Sequence, residues 1–169
     1  HKEAKNIETN VHAKVKCYDC HTKHDIKPAK EFAKEQTKNC LSCHKKQNIQ
    51  HYSESVHAKN NVTCESCHGG GHVVKNIAKN EVSATCGKCH GEHQKNFNNS
   101  IHMQVMNKGN QNAPTCTDCH GSHKIIRGKI SVESQACLEC HLDEKKFPGE
   151  EKGSAKFVQH YKTSIHASV

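Results

Sequence analysis

Apolar residues are sparse along this chain, and where they recur they do so at helical spacing. An apolar pair four residues apart precedes a histidine four times: Ile7/Val11 before His12, Tyr52/Val56 before His57, Phe97/Ile101 before His102 and Tyr161/Ile165 before His166. Residues four apart share one helix face, so each His should project beside a short apolar helical face. In the last three copies a Ser stands two positions before the His (Ser55, Ser100, Ser164). His12 to His57 is 45 residues and His57 to His102 is 45 again, which marks an internal repeat. Further helices are predicted over 28–37, with Pro28 near the first turn, over 94–107, and over 154–166, with Ser154 as N-cap. Alternating strand patterns are nearly absent.

Such a chain cannot build an ordinary core. Of its 169 residues 33% are apolar, and the aromatics number three Tyr and four Phe with no Trp. Conformational entropy would oppose folding strongly, and the composition leans toward disorder. Something other than side chains must supply the interior. No apolar run approaches the roughly 20 residues of a membrane-spanning helix, and the residues after His1 lack the basic flank and apolar stretch of a targeting segment, so none is expected. The expectation is a soluble, exported chain. The net charge is +8, carried almost entirely by Lys, with Arg127 the only Arg. Scattered Lys without stacking aromatics argue against nucleic acid as a partner.

The twelve Cys change the picture. They fall in six C-x-x-C pairs, and His follows every pair: Cys17/Cys20/His21, Cys40/Cys43/His44, Cys64/Cys67/His68, Cys86/Cys89/His90, Cys116/Cys119/His120 and Cys137/Cys140/His141. This is the attachment pattern for c-type haem, in which two thiols bond the porphyrin and the adjacent His binds iron. Six disulfides or three four-thiolate zinc sites could also use twelve Cys. Neither explains the six His, a coincidence of about one in a million at this His content. Six haems (covalent haem c, with iron) would also bring about twelve propionate charges against the excess Lys.

Eleven His remain for the second iron face: His1, His12, His24, His51, His57, His72, His93, His102, His123, His160 and His166. Any one of them is by default a solvated surface residue, and for about five of the eleven that default must hold if six irons are closed by His on both sides. Besides the helical series, a second series follows alternate motifs: His24 three after His21, His72 four after His68, and His123 three after His120, with His93 placed likewise after His90. A His so close to its attachment His should not reach the far face of the same porphyrin, but can reach a neighbouring one. The chain thus divides into three two-motif units, approximately 7–50, 51–95 and 96–169, with first Cys residues 23, 22 and 21 apart inside the units. Loops are expected at 109–112 and around Pro148. With His24, His72 and His123 serving, the helical series offers four members for three places. Either His12, His57 and His102 serve and His166 is spare, or His57, His102 and His166 serve and His12 is spare. The lack of Ser and of an aromatic around His12 favours the second. A spare terminal His could bind iron in a neighbouring molecule. His51 and His160 are read as secondary. Met103 and Met106 are the only Met and are not expected to ligate while so many His are available.

The stretch from Ser100-Ile-His102 through Ala113-Pro-Thr-Cys116-Thr-Asp-Cys119-His120-Gly-Ser-His123 resembles the doubled-CxxCH, cytochrome c3-like multihaem cytochromes. The resemblance implies closely stacked haems, His on both iron faces, and a periplasmic or extracellular location. The architecture is also similar to extracellular cytochromes that polymerise into conducting filaments, in which a His of one subunit ligates iron in the next. It is expected to depart from membrane-anchored quinol-oxidising relatives, since no apolar run in the sequence is long enough for an anchor helix. The expected fold is a single haem-cored domain over 1–169, mostly coil with short α-helices wrapped around six haems. The expected function is electron transfer to other redox proteins or extracellular acceptors, without catalysis. The rival is a nitrite- or hydroxylamine-type oxidoreductase, which needs one open iron and nearby acid or base groups.

Overall fold

The computed structural model describes residues 2–125, 130–143, 145 and 160. The expected helix over 154–166, with Ser154, Tyr161, Ser164, Ile165 and His166, lies outside the described residues, as do His1, Arg127 and the Pro148 insertion. The described residues form ten short α-helices and no strand: α1 (Cys17–His21), α2 (Ala29–Cys43), α3 (Gln47–Gln50), α4 (Val56–Lys59), α5 (Cys64–His68), α6 (Val82–Gly87), α7 (Gly91–Asn98), α8 (Ile101–Asn107), α9 (Cys116–His120) and α10 (Ile130–His141). Long irregular segments join them.

The six motifs fall into two structural classes. In α1, α5 and α9 the motif is the whole helix. The residue just before the second Cys turns back to accept the N–H of the residue before the motif: Lys16 to Asp19 Oδ2 at 3.0 Å, Thr63 to Ser66 Oγ at 3.2 Å and Thr115 to Asp118 Oδ2 at 2.7 Å. This is half of a capping box, and it satisfies an N–H the helix cannot. Each helix stops in the left-handed half of φ space, at Thr22 (φ 61°), Gly69 (φ 84°) and Gly121 (φ 76°). The other three motifs close longer segments. α2 ends in Cys43 with His44 N–H bonded to Cys40 O at 3.0 Å, and α6 leads into Cys89 and His90. α10 carries Cys137 and Cys140 in its last turns and ends in His141.

Two helices differ from the sequence expectation. α2 runs on past Thr37 to Cys43, because no Gly or Pro interrupts the chain there. The expected helix over 94–107 is two helices, α7 and α8, broken at Asn99 and Ser100. Ser100 adopts an extended conformation (φ −76°, ψ 160°) and its hydroxyl accepts the Met103 N–H at 3.4 Å. Ser55 does the same for Ala58 at 3.0 Å. The Ser of the repeat is therefore an N-cap, and it places His57 and His102 as the second residue of α4 and α8. Asn10 takes that place before His12, accepting the His12 N–H at 2.7 Å.

Ser55 is fully buried and Ser100 is not. Ser55→Ala is therefore expected to cost more holoprotein stability than Ser100→Ala, about 2 against about 1 kcal/mol. Denaturant titration followed by haem absorbance reads the difference; equal midpoints would refute the capping argument.

Among the described residues, the only buried apolar side chain is Ala113. The other buried side chains are polar: Gln36, Ser55, Ser83 and Thr115. Val11, Val73 and Ile101 are exposed, each directly beside a His of the two series. The units are tied by the Val56 N–H to Ile125 O bond at 2.8 Å, the Asn10 Nδ2 to His72 O bond at 2.9 Å and the Lys124–Glu54 ion pair at 2.8 Å.

Candidate functional site

The fold brings His rings together two by two, from distant parts of the chain. His12 faces His44 with ring centroids 6.0 Å apart, His57 faces His90 at 6.1 Å, and His102 faces His141 at 6.2 Å. In each of these pairs the helical-series His meets the second attachment His of its own unit. His72 faces His21 at 5.8 Å, and His123 faces His68 at 6.1 Å. Here the His that follows the first motif of a unit meets the first attachment His of the preceding unit. His93 also lies 6.2 Å from His90. It sits three residues along and is exposed, whereas His57 is half-buried.

Contact between two rings in van der Waals stacking would be closer. A metal–imidazole bond of about 2.0 Å, with the centroid about 1.1 Å beyond the nitrogen, sets two rings on either side of one metal about 6.2 Å apart. All five pairs match that spacing. The donor set fits haem for a second reason. None of the twelve Cys is joined in a disulfide, and each is half-buried or exposed. The sixth motif follows the same pattern, with Cys137 exposed and Cys140 half-buried one residue before His141. Among the described residues, no three His, Cys, Asp or Glu gather as a zinc site would require.

Neighbouring motifs also meet through their thiols, in chain order. Burial and then the Cys43 thiol push Cys20 up. A hydrogen bond between Cys40 and Cys64 raises the first and lowers the second to about 6. Burial raises Cys67, and Cys89 adds to it, though Lys88 opposes. Burial and then Cys116 raise Cys86 to about 11. Burial raises Cys119, followed by Cys137, Asp118 and Cys140, so both thiols of the sixth motif lie close enough to act on the fifth. First to second, second to third and so on to the sixth, the attachment sites thus form one unbroken row.

The loops that hold the second series are built alike. After each first motif, the residue in left-handed φ approaches the carbonyl of the residue just beyond the series His. The Thr22 hydroxyl donates to Asp25 O at 2.7 Å; a Cβ on Gly69 would lie 3.1 Å from Val73 O, and one on Gly121 3.5 Å from Lys124 O. His68 Nδ1 lies 3.1 Å from Lys75 O. Donation there fixes the tautomer that leaves Nε2 for a metal. Burial, then the facing His, depresses the pKa of His57, His102 and His123. That keeps these imidazoles neutral, the form that ligates.

Gly69→Ala should distort the His72 loop, since it adds a strained φ and a tight Cβ contact of about 1–3 kcal/mol. Gly121→Ala has the milder contact. The expected result is a larger loss of thermal stability for Gly69→Ala in the holoprotein; the reverse order would refute the loop geometry.

Not every expected residue finds a partner ring. Among the described residues none faces His24 or His120, and both are exposed. His51 is an ion-pair partner of Glu54 at 2.6 Å. Glu54 also binds Lys124, and these two bonds hold its carboxyl at about 2. Two features went unread in the sequence. One is Asn10 standing in for Ser. The other is the back-bonded acceptor of the first motifs (Asp19, Ser66, Asp118), which residue type alone does not mark, since Ser42 and Glu139 hold the same place in two second motifs.

A family model described as doubled CXXCH motif matches residues 9–49, and one described as cytochrome c3 matches residues 56–142. Together they take in all six motifs. No curated protein and no solved structure matches the chain. The ring pairs, the row of thiols and the match over half of the sequence converge: the chain belongs to the cytochrome c3 family, multihaem c-type cytochromes that hold haem covalently and transfer electrons.

Proposed function

We propose that this chain carries six haems, one per motif, and passes electrons along the row in motif order without turning over a substrate. Haem, when bound, supplies an Fe(III)/Fe(II) couple. The polypeptide does the rest. The Cys pairs, from Cys17/Cys20 to Cys137/Cys140, fix each porphyrin edge beside the next. His21, His44, His68, His90, His120 and His141 hold one iron face. His72, His12, His123, His57 and His102 hold the other face of the first, second, third, fourth and sixth sites. At these five sites imidazole on both sides keeps potentials low and leaves no position for a substrate. Lys in excess offsets the propionates. Haem attachment of this kind places the protein outside the cytoplasm, in contact with periplasmic or extracellular redox partners.

The five ring pairs at 5.8–6.2 Å carry this reading. Intact mass of natively matured protein should exceed the polypeptide by six haems, and electron paramagnetic resonance should show low-spin iron at the paired sites. A mass short of six haems, or high-spin iron at most sites, would overturn it.

A further inference from the structure

We infer that Asn10 and Val56 are positioning residues, each yoking the distal imidazoles of the two irons of one unit, so that the two ligands are held by one joint. The inference rests on the six-haem reading above. In the first unit a side chain makes the yoke. Asn10 Oδ1 accepts the His12 N–H at 2.7 Å, and Asn10 Nδ2 donates to the His72 carbonyl at 2.9 Å. The main chains of both ligand residues thus end on one amide. Its orientation is forced, because an N–H needs the oxygen and a carbonyl needs the NH2. In the second unit the main chain makes the yoke. Val56 is the first residue of α4, so its N–H has no partner within the helix. It donates instead to Ile125 O at 2.8 Å. His57 follows Val56 directly, and His123 stands two residues before Ile125. The Lys124–Glu54 ion pair, at 2.8 Å, runs alongside.

The irons joined this way are one with two, and three with four. The same motifs also approach each other from the thiol side. On top of burial, Cys43 raises Cys20; on top of burial and against Lys88, Cys89 raises Cys67. Each of these units is therefore closed at two points, one between the attachment thiols and one between the distal ligands. A hydrogen bond to a ligand residue orients its ring and sets how readily it leaves the metal. Here each joint serves two irons. The yoke also gives a reason for the departure from Ser before His12. Ser55 caps α4 through the Ala58 N–H and needs no second bond, because its neighbour Val56 reaches Ile125. A Ser at position 10 could accept from the chain beside it but could not span His12 and His72 together. Within the second joint the backbone bond matters more than the ion pair. Glu54 and Lys124 are each about half exposed, where such a pair contributes little, while Ser55 between Glu54 and Val56 is fully buried.

The test uses natively matured holoprotein, wild type beside Asn10→Ser, Val56→Pro and Ile101→Pro. Asn10→Ser keeps an acceptor for the His12 N–H and loses the reach to the His72 carbonyl. Val56→Pro removes the donated N–H and leaves the helix start intact. Pro suits the first helical position, and Ser55 before it is already extended (φ −70°, ψ 157°), as a residue preceding Pro prefers. Ile101→Pro makes the same change at the first residue of α8, where among the described residues the N–H meets no carbonyl of another unit. Two quantities are read: the rate of carbon monoxide uptake by the reduced chain, which departure of an imidazole limits, and the haem midpoints by spectroelectrochemistry. Asn10→Ser is expected to make two irons per chain take up carbon monoxide roughly 10-fold faster than in wild type. It should also displace the two midpoints that His72→Met and His12→Met displace. Val56→Pro is expected to do the same at the two sites marked by His123→Met and His57→Met. Ile101→Pro should alter the sixth iron at most. One iron altered instead of two, none, or all alike, in either variant, overturns the inference. So does Ile101→Pro that opens two irons. Prompt carbon monoxide uptake at most irons of the wild type would instead sink the two-imidazole reading itself.

Discussion

Matured without haem, this chain is expected to show little helix and no cooperative thermal transition. Ordering even a hundred residues costs on the order of 100 kcal/mol of conformational entropy. Only apolar burial offsets a term of that size, and among the described residues Ala113 alone is a buried apolar side chain. Val11, Val73 and Ile101 are instead exposed, each next in the chain to a His of a ring pair, where a porphyrin held between the rings would offer them apolar cover. Helices of four to eight residues cannot persist alone either, since isolated helices shorter than about 12–15 residues are marginal in water. The measurement is far-ultraviolet circular dichroism of a chain with every motif Cys changed to Ala, against the holoprotein. A sharp melting transition in the haem-free chain would show that the polypeptide has a core of its own.

His72→Met is expected to raise the midpoint potential of one haem, that of the first motif, by on the order of 100 mV, part of the roughly 0.8 V that axial ligands command. The ring of His72 faces His21 at 5.8 Å, and Asn10 Nδ2 holds the His72 carbonyl, so a thioether there meets the same iron face. A thioether donates less electron density than imidazole and favours the reduced state. The effect should be confined to that site, with the remaining midpoints moved only through its charge. Spectroelectrochemical titration of the variant against wild type separates one displaced component from the rest. An unchanged titration curve would mean that His72 does not touch the first iron.

How much of this was legible in the sequence depends on what carries each feature. The six attachment sites are contiguous in the chain and could be read directly. The second series rested on a reach argument, and the structure places His72 and His123 across from attachment His of the preceding unit. The choice between His12 and His166 turned on Ser, yet Asn10 supplies the same acceptor, and the structure sets His12 opposite His44. A side-chain oxygen two residues ahead was the physical requirement, and Ser is only one way to meet it. The break between α7 and α8 was hidden because apolar spacing continues across it, while Ser100 both fits that spacing and caps a new helix. The absent core was legible from composition. The ring partners were not, because haem contacts leave no periodic trace in the sequence.

The two kinds of pairing differ in when they become available during export. His12 lies 32 residues before His44, so the second site has both its imidazoles as soon as its own motif emerges. The first site must wait 51 residues beyond His21, until residue 72 appears, and the third must wait for His123. On the proposed ligation, vectorial emergence would complete the sites out of numerical order: second, first, fourth, third, sixth. During each wait a haem at the first motif would offer an open iron face to stray imidazoles. The left-handed stop at Thr22, Gly69 or Gly121 stands between each first attachment His and the next His along, and His72 and His123 face the attachment His of the preceding unit, so on the proposed ligation the turn would guard against misligation as well as scaffold the loop.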